Sequence, residues 1–259
     1  MNDALLQLQD LTLRYGSLTA VDGVTLAVRE GARHALIGPN GAGKSSLFSV
    51  VAGHTPATSG RVVFNGQDVT GLGEAGRARA GLVRTFQHSS LFLGMSVLDN
   101  AKLAVERAQG RPKRPWPSPR ADRAIRDEAM QHLKSVGLLD RRSALTGALS
   151  HGERRQLEVG MVLACQPRLV LFDEPTAGMS VAETTRFAEL VESLPKEVTV
   201  VVVEHDLDVV FRLAERVSVL AAGKLIADGT PEEVRADEKV REAYLGRPRS
   251  SGPLFGVAS

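Results

Sequence analysis

Cys165 is the one cysteine in 259 residues. An internal disulfide is therefore excluded, and this usage fits a reducing compartment. Residues Met1 to Asp10 lack the basic start and apolar core of a secretory leader, so none is expected. No apolar run approaches the roughly 20 residues that span a bilayer. The longest candidate, Val198 to Val203, reads as a buried strand, so any membrane role must come through a partner. An excess of one charge is missing too. The chain carries 32 basic and 30 acidic residues, a formal net charge of +2. Nucleic-acid binders carry a stronger or more clustered excess, and no nucleic-acid partner is expected. There is no internal repeat. What is present is enough apolar material, 43% of residues, to exclude disorder for most of the chain. The length suits one large domain or a domain with subdomains.

Periodicity divides the chain. Leu6 and Leu8, Leu11 and Leu13, and then Val24, Leu26 and Val28 alternate with polar residues, as strands do. His34 to Ile37 leads into a Gly-rich turn, and Ser46 to Ala52 reads as helix. Arg61 to Phe64 is a short strand closed by the turn pair Asn65-Gly66, and Val83 to Phe86 is another strand. From about Ser96 to Cys165 the pattern turns helical, with Leu98, Ala101 and Val105 on one face and Ala129, Leu133 and Val136 on another. Between them, Arg107 to Arg120 holds Pro112, Pro115, Pro117 and Pro119 among several Arg and Lys. It is not expected to form a regular helix; it reads as a solvated linker or, alternatively, a docking surface. Leu169 to Phe172 and Val198 to Val203 are continuous apolar runs, typical of parallel strands covered on both faces. Thr184 to Leu194 and Leu207 to Leu213 would be covering helices, and Ala222-Gly223 would turn a hairpin between Val217–Leu220 and Lys224–Ala227.

Gly38, Pro39, Asn40, Gly41, Ala42, Gly43, Lys44 and Ser45, with Ser46 behind them, match G-x-x-x-x-G-K-[ST] between a strand and a helix. Loop amides can point at phosphate oxygens, and the helix dipole adds a favourable field. Lys44 should reach the β- and γ-phosphates, and the Ser45 hydroxyl should ligate Mg²⁺. Further on, the apolar strand Leu169 to Phe172 ends in Asp173 and Glu174. Strand carboxyl ends are where open α/β sheets bind ligands. There Asp173 can hold Mg²⁺, directly or through water, and Glu174 can act as general base on water. These motifs leave kinase, helicase and transporter open.

Leu149-Ser150-His151-Gly152-Glu153 narrows the choice. Ser150 and Glu153 form a capping box that opens a helix, and a helix N-terminus suits a phosphate. With the cradle and carboxylates, this stretch resembles the LSGGQ signature of the ABC transporter ATP-binding family, and the resemblance covers residues 4 to 246. Gln87 in Arg84-Thr-Phe-Gln87 resembles the family's Q-loop glutamine, which touches Mg²⁺ and the membrane partner. His205 in Val203-Glu-His205-Asp206 resembles the switch histidine at the γ-phosphate. Tyr15 resembles the aromatic that stacks on adenine. His151 replaces the usual first glycine of the signature. Thr176-Ala-Gly-Met-Ser180 stands where many members end in Leu-Asp. Those departures, with Glu242-Ala-Tyr244-Leu-Gly246, resemble the branched-chain amino-acid importer ATPases, and the urea importer branch is similar.

The resemblance implies an α/β P-loop NTPase (RecA-like) core with a small antiparallel β subdomain and an inserted α-helical subdomain of about residues 89–160. The nucleotide-binding domain would run over residues 1–246, with 247–259 a flexible tail. It implies an ATPase using ATP and Mg²⁺, with Lys44, Glu174 and His205 catalytic and Ser45, Gln87 and Asp173 at the metal. Tyr15, Ser150 and Gly152 would complete the nucleotide site, Ser150 and Gly152 facing the γ-phosphate of ATP held by a second ATPase subunit, a copy or a paralogue. Transmembrane permease subunits, an extracytoplasmic solute-binding protein and a peripheral place on the cytoplasmic face of the cell membrane follow from the same likeness. Importers of urea or short amides, and soluble ABC ATPases of cofactor assembly, are the alternatives.

Overall fold

The computed structural model describes residues 4–85, 91–110 and 119–245. The strands are β1 (Ala4–Tyr15), β2 (Leu18–Arg29), β3 (Arg33–Ile37), β4 (Ser59–Phe64), β5 (Gln67–Asp68), β6 (Leu82–Arg84), β7 (Leu169–Asp173), β8 (Thr199–Val203), β9 (Arg216–Ala221) and β10 (Lys224–Gly229). The helices are α1 (Lys44–Ala52), α2 (Glu74–Arg79), α3 (Val97–Ala108), α4 (Pro119–Ser135), α5 (His151–Ala164), α6 (Val181–Glu192), α7 (Leu207–Leu213), α8 (Pro231–Ala236) and α9 (Glu238–Leu245). The described residues up to 73 and from 201 make one compact unit, and those between 74 and 200 make another.

In the first unit, β2-β1-β4-β5 form an antiparallel sheet. The two alternating stretches at the start of the chain belong to one strand. Leu6 and Leu8 are in phase with each other but out of phase with Leu11 and Leu13, and a bulge absorbs the difference. Asp10 takes φ 47°, and the register with β2 shifts between Leu8 and Leu11. A bulge adds one residue to one strand and restores the inward face, so all four leucines are buried. Asn65 and Gly66, with φ 50° and 75°, turn β4 into β5, the positive pair a tight hairpin needs. The order β10-β9-β3-β8 continues the unit; β3 runs parallel to β9, and β9 pairs antiparallel with β10. Asp206 caps α7 by accepting from the Asp208 and Val209 amides.

In the second unit, β6 and β7 pair in parallel, with Arg84 opposite Leu171. Helices α3, α4 and α5 pack on one another through Ala101, Val105, Ala129, Leu133 and Leu157, all buried. Their periodicity of three and four residues puts these side chains on inward faces. Asn100, fully buried, ties α3 to the loop before α5 by donating to the Phe92 and Ser96 carbonyls and to Thr146 Oγ1.

The Pro-rich segment differs from expectation at its ends. Helix α3 continues through Arg107 to Ala108, and Pro119 opens α4, a position where its missing N–H costs nothing. Residues 111–118 lie outside the described residues. So do residues 246–259, and with them the expected tail. Among the described residues no helix is long and apolar enough to cross a membrane.

Candidate nucleotide site

The phosphate loop joins β3 to α1 in the first unit. Two of its glycines are dictated by neighbours far along the chain. A Cβ at Gly38 would lie 2.1 Å from the Leu220 carbonyl oxygen, and one at Gly43 would lie 2.2 Å from that of Ala20. Gly43, at φ 101°, is also the N-cap of α1. No side chain caps α1, and its first turn contains no acidic residue, so the partial positive charge there is left for an anion. Lys44 is buried and folds back over the loop, its Nζ donating to the carbonyls of Gly38 (2.7 Å) and Pro39 (3.0 Å). Asn40, Gly41 and Ser45 are exposed, Pro39, Gly43 and Ser46 half-buried, and Ala42 buried. The Ser45 hydroxyl therefore stands on the open first turn of α1.

Also in this unit, Tyr15 ends β1 with 50% of its surface exposed. It is no core aromatic, and its ring is available to stack on a planar ligand. The His205 side chain follows β8 and is 62% exposed. Its amide donates to the Glu204 carboxylate at 3.1 Å, and Glu204 is fully buried. Tyr244 on α9 lies with its phenol near the Gly38 backbone; burial pushes that phenol up to about 12. Thus the late Glu-Ala-Tyr-Leu run reaches the back of the cradle.

In the second unit, two carboxylates follow one another at the end of β7. Asp173 ends β7 and is buried. Its Oδ2 accepts from Arg84 Nη2 at 2.5 Å, while its Oδ1 is buried without a hydrogen-bond partner. An orphaned anionic oxygen is costly, and this one is a hard donor of the kind that Mg²⁺ prefers. Glu174 follows at φ 44°, half-buried. A non-glycine residue in the left-handed region stores about 1–3 kcal/mol, a feature that clusters at functional sites. Its carbonyl accepts from the Ala177 amide in the turn that leads to α6.

Ser150 is the N-cap of α5, with the capping box complete: Ser150 Oγ accepts from the Glu153 amide, and Glu153 accepts from the Ser150 amide. His151 is exposed and Gly152 buried, so the histidine in the signature turns to solvent. Gln87 lies outside the described residues.

A family model described as "ABC transporter" matches residues 21–177, spanning the cradle, the signature and the carboxylates. The chain belongs to the ABC transporter family. A second model, described as "Branched-chain amino acid ATP-binding cassette transporter", matches residues 224–249 of this cassette. The high-affinity branched-chain amino acid transport ATP-binding protein BraF of Pseudomonas aeruginosa is 36% identical over 254 residues, covering 95% of this chain and 99% of BraF. LivG of Escherichia coli K12, of the same description, is 35% identical over the same shares. The lipopolysaccharide export ATP-binding protein LptB of Haemophilus influenzae is 32% identical, covering 94% of this chain and 98% of LptB. Among solved structures, MJ1267, an ATP-binding cassette of an ABC transporter, superposes with TM-score 0.80 in its ADP conformation at 29% identity, covering 94% of this chain and 99% of MJ1267. The fold is that of an ABC ATPase cassette, with a P-loop NTPase α/β core.

Three site features of this cassette carry no motif that sequence reasoning picked out: the Arg84–Asp173 pair, the buried Glu204 beside His205, and Glu183 against the signature. A signal existed for the last. Ser180-x-x-Glu183 repeats the S-x-x-E pattern already recognised at Ser150.

Proposed function

We propose that this chain is the ATP-hydrolysing subunit of an importer for branched-chain or other hydrophobic amino acids. The observation that carries this reading is likeness over nearly the whole chain to ATP-binding proteins of branched-chain amino-acid transport, supported by the C-terminal match at 224–249. Residues 1–246 work as one nucleotide-binding domain, with the helical part of about 89–160 meeting transmembrane permease subunits. An apolar cavity of about 300 Å³, lined by Leu91, Leu103, Ala104, Met161 and Val162, supports docking on that helical part. The chain then works at the cytoplasmic face of the membrane, and a solute-binding protein outside delivers the cargo.

In this reading ATP lies on the cradle, with adenine on Tyr15 and phosphates on the loop amides. Lys44 exchanges its two loop carbonyls for β- and γ-phosphate oxygens. Ser45, Asp173 and Gln87 would hold Mg²⁺, for which the orphaned Asp173 oxygen is suited. When bound, that ion neutralises phosphate charge. Glu174 takes the proton of the attacking water, and His205 contacts the γ-phosphate. A second ATPase subunit, copy or paralogue, contributes Ser150 and Gly152 across the pair. Binding closes the pair and hydrolysis opens it, because the γ-phosphate contacts differ between the two states.

Affinity purification of the tagged chain from gently solubilised native membranes, read by mass spectrometry, tests this. Polytopic membrane proteins and an ATPase partner are expected. Recovery of soluble partners alone, with the ATPase active, would overturn the importer reading.

A further inference from the structure

The N-terminus of the signature helix already holds an anion. Glu183, in the first turn of α6, sends its Oε1 to α5, where it accepts from Ser150 Oγ and from the Gly152 amide, both at 3.1 Å. Its Oε2 stays with its own helix, accepting from the Ser180 amide (3.0 Å) and Ser180 Oγ (2.9 Å). Packing enforces the arrangement: a Cβ at Gly152 would come within 2.9 Å of Glu183 Cγ. The second signature glycine is thus matched to this carboxylate. Hydrogen bonds from Ser180 first, and then from Gly152 and Ser150, hold the carboxyl down at about 2. It is an anion throughout the working range.

We propose that Glu183 is a further residue of the ATP-sensing machinery, occupying in the unpaired chain the donors that a partner's γ-phosphate takes on closure. The inference rests on the reading of Ser150 and Gly152 as the cross-subunit contact. A serine hydroxyl has one proton and a backbone amide has one. Both are committed to Glu183 Oε1, so a phosphate oxygen can accept from them only when the carboxylate withdraws. Two anions on one pair of donors would also repel each other. The carboxylate has somewhere to go, since Oε2 keeps its donors at Ser180 while Oε1 leaves α5. Glu183 therefore raises the ATP concentration needed for pairing. It also ties that event to the turn between Glu174 and Ser180, where the Ala177 and Met179 amides donate to the Glu174 and Thr176 carbonyls. Ser180, in place of the Asp common in the family, anchors this carboxylate.

The test uses the Glu174→Gln chain, in which bound ATP persists. It is titrated with Mg-ATP in sedimentation velocity, alone and with whichever ATPase the purification proposed above recovers. Adding Glu183→Gln removes the charge and keeps the shape. We expect the half-pairing ATP concentration to fall about tenfold, while a fluorescent ATP analogue binds the unpaired chain with unchanged affinity. If Glu183→Gln does not fold, Glu183→Asp carries the same expectation. It is one methylene shorter, withdrawing the charge from α5 within reach of Ser180. An unchanged or higher half-pairing concentration overturns the role of Glu183 and leaves the composite site standing. No ATP-dependent pairing in any variant overturns both.

Discussion

At Gly43 a single missing methyl group decides whether the cradle can form. The left-handed backbone acts together with the Ala20 carbonyl oxygen, which would stand 2.2 Å from an added Cβ. Gly43→Ala must therefore displace either the loop or β2. Strain of a non-glycine residue there is of order 1–2 kcal/mol before any clash. Calorimetry should show ATP affinity lowered at least about tenfold. Gly41→Ala, where nothing lies within 4 Å of the added carbon, should lose less. Equal affinities for both variants would refute the steric account. The motif itself was readable in the sequence because its spacing is local. The reason for its first and last glycines was not, since Leu220 and Ala20 are remote from them in the chain. The same limit applies to His151. In the sequence it is only a replacement of the usual glycine, and the fold leaves it exposed at the start of α5.

Among elements, local chemistry was legible and long-range partners were not. Capping residues announce helix starts: Ser150 does so as expected, and Asp206 caps α7. Ser180 and Thr230 carry equally clear boxes, with Pro231 behind the latter; the apolar period of α6 marked its body from Thr184, and its box sets the start at Val181, while α8 has only six residues. The start of β1 was split by its bulge, because alternation loses phase there. The pairing of β6 with β7 through Arg84 and Asp173 joins residues 89 apart in the chain, and no pattern marks it. It carries a prediction. Arg84 and Asp173 expose 11% and none of their side chains, and removing one partner of a buried pair costs about 3–5 kcal/mol. Arg84→Met should lose that much in urea unfolding, and Arg84→Met with Asp173→Asn should recover part of it. A single variant of wild-type stability would mean that Asp173 is not held by this arginine.

The β3–β9–β10 ladder buries a histidine. Ser218 Oγ donates to Asp228 (2.8 Å), so it accepts from His34 Nε2 (2.8 Å), which fixes that tautomer and leaves Nδ1 bare in the core. Burial lowers His34 to about 4, helped by Arg216 and opposed by Asp228. The unfolded chain binds the proton from about pH 6.5. Stability from neutral His34 is therefore complete above that pH and is lost as pH falls towards 4, by of order 3 kcal/mol. Urea midpoints between pH 7 and 4.5 should fall less steeply in His34→Gln, which keeps a donor for Ser218. Identical slopes would assign the acid sensitivity elsewhere.

At the scale of the whole molecule, class was legible and cargo was not. The order of cradle, signature and carboxylates along the chain falls within the family match from 21 to 177. Cargo leaves no trace in the motifs, because each of them is read as a nucleotide contact. Ligand binding to the folded state alone must stabilise the whole chain. ATP with Mg²⁺ at about 100 times its Kd should add about 2.7 kcal/mol, seen as a raised unfolding midpoint; no shift would contradict the nucleotide site.

The most direct measurement compares ATP hydrolysis by the chain and by Glu174→Gln, with ATP affinity determined on the same preparations. Loss of a general base costs about 10²–10⁴-fold in rate. The account predicts that loss with affinity kept. Hydrolysis by Glu174→Gln at a rate near that of the unaltered chain would contradict it.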